Sequence, residues 1–167
     1  MKKLLYIIAA TFCLVACEKN APEASSTTKS DYVDLGLPSG TQWKAVNELN
    51  PKDSENGFYT YDEAIATFGK NLPTIEQWRE LVNECTWTWI DTGYQVVGSN
   101  GKSITLPAAG IRYANGTVKN VGSQGAYWSS TLESGYEEVA WDIIFKSGAV
   151  SEGSFNRNGG QSVRLVR

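Results

Sequence analysis

The last fifth of the chain alternates apolar runs with polar turns. Residues 125–131 and 139–145 are separated by a polar turn, a second turn follows at 146–148, and the chain closes on residues 157–167. Apolar runs bounded by turn residues are typical of β-strands. We therefore predict a small antiparallel sheet here, with a loop rich in Ser, Gly and Asn before its last strand.

Two helix signals lie in the middle of the chain, and each begins at a capping box. Thr60 is followed three residues later by Glu63, and Thr74 is followed in the same way by Gln77. In this arrangement the hydroxyl and the later side chain satisfy backbone N–H groups that would otherwise lack partners. The two predicted helices are residues 61–68 and 75–84.

Beyond residue 85 the hydrophobic period changes from about 3.6 to 2, which indicates strands. Alternation at 86–90 and 94–97, a turn at 98–101 and a returning run at 103–107 predict a hairpin. Two further strands are predicted near residues 32–35 and 43–46. The pattern indicates an α+β fold in which two short helices pack on small antiparallel sheets.

Composition supports one folded domain. The chain has 167 residues, of which 41% are apolar and 20% charged. Six Trp and eight Tyr point to a compact, aromatic-rich core. The absence of His removes the commonest general base and metal ligand. A net charge of −3 argues against nucleic acid as a partner.

The first 16 residues have the pattern of a secretory signal peptide. Lys2 and Lys3 precede an apolar stretch that is too short to span a bilayer, which takes about 20 residues. The stretch ends at Cys17 in a sequence that resembles the lipobox of bacterial lipoproteins. That resemblance implies a lipid on Cys17 and a membrane anchor through it. The segment 17–30 is rich in Ser, Thr and Ala and is predicted to be a flexible tether before a domain over 31–167.

Glu18 follows the lipobox cysteine, where Asp would favour retention in the inner membrane of enterobacteria. We therefore expect a lipid-anchored protein of the outer membrane. Residue 18 does not indicate which face of that membrane the domain occupies, and the binding function considered below favours the cell surface. Removal of Cys13 with the signal peptide and lipidation of Cys17 leave Cys85 alone, so no intramolecular disulfide is expected. Cys85 lies on the apolar face of the second predicted helix and is expected to pack in the core.

Neither a metal site nor a cofactor site is predicted. The acidic residues near 50–57 lie in a segment rich in turn residues, and their spacing differs from that of an EF-hand loop. The charged residues of the second helix are expected to face water. The sequence therefore favours a binding or structural protein over an enzyme.

Five motifs lie in order at residues 32–43, 72–78, 106–110, 127–131 and 160–166. They resemble those of the Fibrobacter succinogenes major paralogous domain family, found in secreted proteins of Bacteroidetes. This resemblance implies a C-type-lectin-like α+β fold, distantly related to formylglycine-generating enzymes.

An enzymatic function of the related type would need a pair of active-site cysteines, and Cys85 is alone. Lectin-like domains more often carry recognition on their loops. The Glu-Pro-Asn and Gln-Pro-Asp tripeptides of calcium-dependent sugar binding are absent. The function expected from the resemblance is binding of an extracellular protein or glycan, and the alternative is a structural component of the cell envelope.

The chain ends on a pattern formed by Arg157, Gly160, Ser162, Val163, Arg164 and Val166. This pattern resembles the end of lectin-fold proteins that are diversified by retroelements, in which adenine-directed mutagenesis rewrites selected codons. Substituted adenines in AAC or AAT codons yield residues such as Asp, Ser, Gly, Ile, Phe and Ala, but not Lys, Glu or Gln. Lys146, Glu152 and Gln161 break that rule. The residues that satisfy it, which are the candidate ligand-binding residues, are Asp142, Ile144, Ala149, Ser151, Gly153, Ser154, Phe155, Asn156, Asn158 and Gly159.

Among these candidates, Ile144 and Phe155 are the expected apolar anchors, since exposed aromatic and aliphatic side chains often dominate binding energy. Arg157 and Arg164 are expected to brace the loop by hydrogen bonds to its carbonyl groups. Trp128, Trp141 and Val163 are expected to support the sheet from beneath. The alternative is an ordinary polar loop that is neither diversified nor in contact with a ligand.

Overall fold

A computed structural model describes residues 31–167 of the chain. The predicted signal peptide 1–16, the lipidation site Cys17 and the tether 17–30 lie outside the described residues. Across 31–167, no helix has the length and apolar character needed to cross a membrane.

The two helices form where the capping boxes predict them. Helix α1 covers Tyr61–Phe68 and helix α2 covers Ile75–Glu84. The hydroxyls of Thr60 and Thr74 each accept a hydrogen bond from the backbone N–H three residues later. The side-chain oxygen at that later position accepts a hydrogen bond from the backbone N–H of the threonine. Gly69, with φ of 50°, ends α1.

The strands are all paired antiparallel, and within residues 31–167 they form four small sheets. An α+β architecture with two short helices and small antiparallel sheets is thus confirmed, as is the central hairpin. The strands are β1 Tyr32–Asp34, β2 Gln42–Lys44, β3 Thr86–Ile90, β4 Gly93–Val97, β5 Ser103–Pro107, β6 Ile111–Arg112, β7 Val118–Lys119, β8 Gln124–Leu132, β9 Val139–Lys146 and β10 Ala149–Asn156.

The predicted loop before the closing segment is wrong, because residues 149–156 are the strand β10. All eight of its residues pair with β9, from Ala149 opposite Lys146 to Asn156 opposite Val139. A two-residue turn joins the strands, and Gly148 adopts φ of 79° there. The strand state of this polar segment therefore comes from pairing with β9, since strand preference depends strongly on context.

The closing segment lies along the other edge of β8. Ser162 bridges Tyr127, and the N–H of Trp128 donates to the carbonyl of Ser162 at 3.2 Å. On its other side the same segment reaches back to the start of the domain, where Val166 bridges Trp43. The predicted final strand is thus a chain of single bridges that joins the two ends of the domain.

The core consists of two neighbouring clusters of buried side chains linked through tryptophans. Trp78 of α2 packs 4.6 Å from Trp43 between ring centroids, and its indole N–H donates to the carbonyl of Trp128 at 3.2 Å. The indole N–H of Trp128 donates in turn to the carbonyl of Tyr59 at 2.8 Å. The expectation that the aromatics form the core is confirmed for these rings, which are all nearly inaccessible to solvent.

A buried guanidinium joins three parts of the chain. Arg164 is 0% exposed, and its Nη1 and Nη2 donate to the carbonyls of Lys44 at 2.8 Å and Thr105 at 2.6 Å. Nε and Nη2 also donate to Oδ1 of Asn47, at 2.9 and 2.6 Å. Burial lowers the pKa of Arg164. The expectation that Arg164 braces the C-terminal loop is wrong, since its partners lie in β2, β5 and the segment after β2.

We predict that Arg164→Met lowers the free energy of unfolding by about 3–5 kcal/mol, because four part-buried hydrogen bonds from the guanidinium are lost. Urea denaturation followed by tryptophan fluorescence measures the change. Lys102→Met, at an exposed position in the turn before β5, is the matched control and should stay within about 0.5 kcal/mol of the parent. Equal stability of the two variants would contradict this role for Arg164.

Candidate ligand-binding surface on the C-terminal strands

The candidate residues lie on an outer strand of the C-terminal sheet. The strand order is β10–β9–β8, so β10 forms one edge of this sheet. Apart from Glu152, its one charged residue, the exposed side chains of β10 are short. The backbone of an edge strand carries hydrogen-bonding groups on its free side, so β10 offers both side chains and backbone to a ligand.

The ten candidate residues do not share one face of the sheet. Directly opposed residues of antiparallel strands point to the same side. Ser154 and Asn156 therefore lie on the side covered by α2, with Trp141 and Val139 as their partners on β9. The candidates on the opposite side are Asp142, Ile144, Ala149, Ser151, Gly153 and Phe155.

Exposure separates the candidates further. Asp142 and Gly159 are buried, so they support the surface from below instead of offering side chains to a ligand. Ile144, Gly153 and Phe155 are half-buried. The exposed candidates are Ala149, Ser151, Ser154, Asn156 and Asn158.

Phe155 is held by aromatic neighbours. Its ring lies 5.7 Å from Tyr113 and 6.3 Å from Trp128 between centroids. Gly159 makes room for it, because a Cβ at that position would come within 2.2 Å of the Phe155 ring. Phe155 is therefore partly a packing residue, and the sequence-based expectation of a freely exposed anchor holds only in part.

Sequence reasoning missed Tyr113, which is 40% exposed and extends the aromatic patch beyond Phe155. Tyr113 follows β6, and the Lys119 ammonium lies 5.5 Å from its ring centroid. The signal in the sequence is the tight turn at Asn115–Gly116, which predicts a hairpin. Periodicity alone does not show that this hairpin packs beside β10.

Asp142 and Gln161 form a buried polar pair beneath the surface. Nε2 of Gln161 donates to Oδ2 of Asp142 at 2.5 Å, and both residues are 0% exposed. Oδ1 of Asp142 and Oε1 of Gln161 have no hydrogen-bond donor among the described residues. Burial raises the pKa of Asp142 to about 7. A proton on Asp142 removes the cost of a buried charge.

The expected bracing role of Arg157 also changes. Its Nε donates to Oδ1 of Asp62 at 3.1 Å, and its Nη1 donates to the carbonyl of Glu137 at 2.8 Å. Arg157 thus ties the end of β10 to α1 and to the β8–β9 turn. Of the three expected supports, Trp128 and Val163 are buried and Trp141 is half-buried.

A groove of about 210 Å³ separates α2 from β10. Val82 and Val150 line its apolar part, and Asn83 stands at its α2 side. Across the groove, Nε and Nη2 of Arg79 donate to the two oxygens of Glu152 at 2.8 and 2.7 Å. The guanidinium lowers the pKa of Glu152. An apolar side chain of a ligand fits this space beside a fixed ion pair.

A second groove, of about 440 Å³, lies between the segment after β2 and strand β5. Exposed Val46 and Leu49 flank it, and Arg164 lies beneath it.

Cys85, at the end of α2, is half-buried, and burial raises the pKa of its thiol. In the described part of the chain, no three acidic or cysteine side chains gather where they could hold a metal ion.

We predict that Asp142→Asn flattens the pH dependence of stability. The pKa of Asp142 is about 7 in the folded state and about 3.9 in the unfolded chain. Its favourable contribution is therefore full below about pH 4 and is lost as the pH rises through about 7. At pH 8 the Asn variant should exceed the parent by about 2–4 kcal/mol in urea denaturation.

The control for this measurement is Glu55→Gln, a carboxylate-to-amide change at an exposed position. It should keep the pH slope of the parent between pH 4 and 8. If Asp142→Asn lost stability over that range as steeply as the parent does, the protonated Asp142–Gln161 pair would be refuted.

Comparison with known proteins bears on the second half of the chain. The profile of a family described as a domain of unknown function (DUF8237) matches residues 91–166. No curated protein matches the chain. No solved structure matches it either. The matched segment begins just before β4 and contains all ten candidate ligand-binding residues.

Proposed function

We propose that this chain is a lipoprotein anchored at the cell surface that binds an extracellular protein or glycan through its C-terminal strands, in the manner of an adhesin or receptor. The observation that carries the proposal is β10, an edge strand with exposed Ser and Asn side chains on a firmly held backbone. Short polar side chains adapt their hydrogen bonds to different partners.

Preorganisation of β10 supports this function. Arg79 and Arg157 tie β10 and its end to the two helices, through Glu152 and Asp62. Phe155 packs between Tyr113 and Trp128. A binding surface that is already ordered loses less conformational entropy when a ligand associates.

The proposal includes a C-type-lectin-like scaffold, on the strength of the five sequence motifs. Motif residues fill the interior, among them Trp43, Trp78 and Trp128, while the exposed candidates lie outside it. Diversification by a retroelement would act on those exposed positions. Its signature is a near-copy of the 3′ coding end, differing at adenines, beside a reverse-transcriptase gene, and absence of that copy removes this part of the proposal.

We predict that arginine at Ser151 and at Asn158 weakens ligand binding at least tenfold, because two long charged side chains would cover the short polar ones. The protein in detergent would first be screened on arrays of glycans and of extracellular proteins. Affinity for the best ligand would then be measured for the parent and for the Ser151→Arg, Asn158→Arg double variant.

The matched control is Thr88→Arg together with Thr117→Arg, which adds the same charge at exposed positions of β3 and of the turn after β6. It should leave affinity within about twofold of the parent. If both double variants lower the affinity equally, the effect comes from net charge. If neither double variant changes the affinity, the C-terminal strands are not part of the binding site.

The lipid anchor has its own test. We predict that Cys17→Ala abolishes incorporation of radiolabelled palmitate in the bacterial host and releases the protein from the membrane fraction, because the thiol is the acceptor of the lipid. Cys85→Ala, which keeps Cys17, should label like the parent. Labelling of the Cys17→Ala protein at the parent level would refute lipidation at this site.

A further inference from the structure

The register of β9 and β10 determines which backbone groups of β10 point outward. Lys146 and Ala149 close a two-residue turn, so this pair exchanges hydrogen bonds, and every second pair along the ladder does the same. The N–H of Arg157, which donates to the carbonyl of Glu138 at 2.9 Å, continues that alternation beyond the strand. The intervening residues Val150 and Ser154 therefore turn their N–H and C=O groups away from β9, as does Glu152.

Those outward groups have no partner within residues 31–167. No backbone or side-chain hydrogen bond of the described residues involves the backbone of Val150, Glu152 or Ser154 on the side away from β9. Free edges are usually blunted by proline, by lysine or by a bulge. Strand β10 contains neither residue, its pairing with β9 is continuous, and Arg79 engages its one charge.

The groove between α2 and β10 lies on the same side of the sheet as the side chains of Val150 and Glu152. Its floor is Ile143 of β9, and Val82 of α2 forms the opposite wall. A strand added to the edge of β10 would point every second side chain to this side of the sheet. A volume of about 210 Å³ admits one aliphatic side chain beside the Arg79–Glu152 pair.

We propose that β10 binds an extended peptide segment of a partner protein by strand addition, with one aliphatic side chain of that segment in the α2–β10 groove. The inference rests on the proposed function and names its ligand class. Peptide backbone is the complement of the outward N–H and C=O groups, because their alternation repeats with the spacing of a neighbouring strand. Main-chain hydrogen bonds would provide the affinity, and the groove would provide the specificity.

The observations favour a peptide over a glycan or a second copy of this chain. A glycan has no regular array of donors and acceptors to match three outward residues in succession. The one aliphatic side chain that a second copy carries on this side of β10 is Val150, and that side chain already lines the groove of its own copy. A peptide supplies both features at once.

The test begins with selection of random dodecapeptides displayed on phage against the full-length protein in detergent. Synthetic versions of the selected peptides are then measured with the parent and with Ser154→Pro, which removes one outward N–H while the bonds to β9 remain. Affinity should fall at least tenfold. Ser154→Ala keeps the N–H and loses only the hydroxyl, so it separates the backbone contribution from the side-chain contribution. Its affinity should fall several-fold less than that of Ser154→Pro.

Three further measurements keep the test decisive if Ser154→Pro does not fold. Methylation of the peptide nitrogens that face β10 should abolish binding, and methylation of the alternate nitrogens should not. Hydrogen exchange should slow at the amides of Val150, Glu152 and Ser154 when peptide binds, while that of Ser151 and Gly153 stays unchanged. Asn83→Trp, which fills the groove, should lower the affinity for peptides with an aliphatic residue at least tenfold.

The outcomes separate this inference from the proposed function. Strand addition is overturned if neither Ser154→Pro nor backbone methylation changes peptide affinity. It is also overturned if the selection yields no peptide with a Kd below millimolar. A dimer of the parent that dissociates in the Ser154→Pro variant would assign the edge to a second copy and would likewise overturn the inference. If the Ser151→Arg, Asn158→Arg variant lowers the affinity for a ligand and Ser154→Pro does not, the proposed function stands and strand addition fails.

Discussion

The buried guanidinium of Arg164 is the constraint on which the rest of the domain depends. Its four hydrogen bonds go to the neutral oxygens of Lys44, Asn47 and Thr105, which take the place of the water that a buried cation loses. Because these acceptors come from distant parts of the chain, a single side chain sets the relative positions of β2, β5 and the closing segment. Trp43, in the same strand as Lys44, packs against Trp78 in the core.

The same arrangement leaves the opposite edge of the C-terminal sheet uncovered. The closing segment pairs with β8 through Ser162 and so protects one edge, while β10 remains free at the other. Arg79 and Arg157 hold that free strand without covering its backbone. A rigid edge beside a groove is a suitable base for recognition, because the framework is ordered before a ligand arrives.

The buried Asp142–Gln161 pair shows how a framework position can resemble a binding residue. Asp142 fits the pattern of exchangeable codons, yet it is fully buried and touches Gln161. Gly153 is small because Oδ1 of Asp142 occupies the space that a Cβ at that position would need, 2.6 Å away. Residue type and codon rule alone do not distinguish a position that supports the surface from one that lies on it.

Local chemistry in the sequence determined both helices, their capping boxes at Thr60 and Thr74, and the central hairpin, because each signal acts within a few residues. Only the tertiary structure decided that 149–156 is a strand, since its polar residues become ordered by pairing with β9. It also decided which face each candidate occupies, because a period of two places neighbours on opposite sides. The burial of Arg164 and the approach of Tyr113 to Phe155 likewise depend on contacts between distant segments, which no local pattern records.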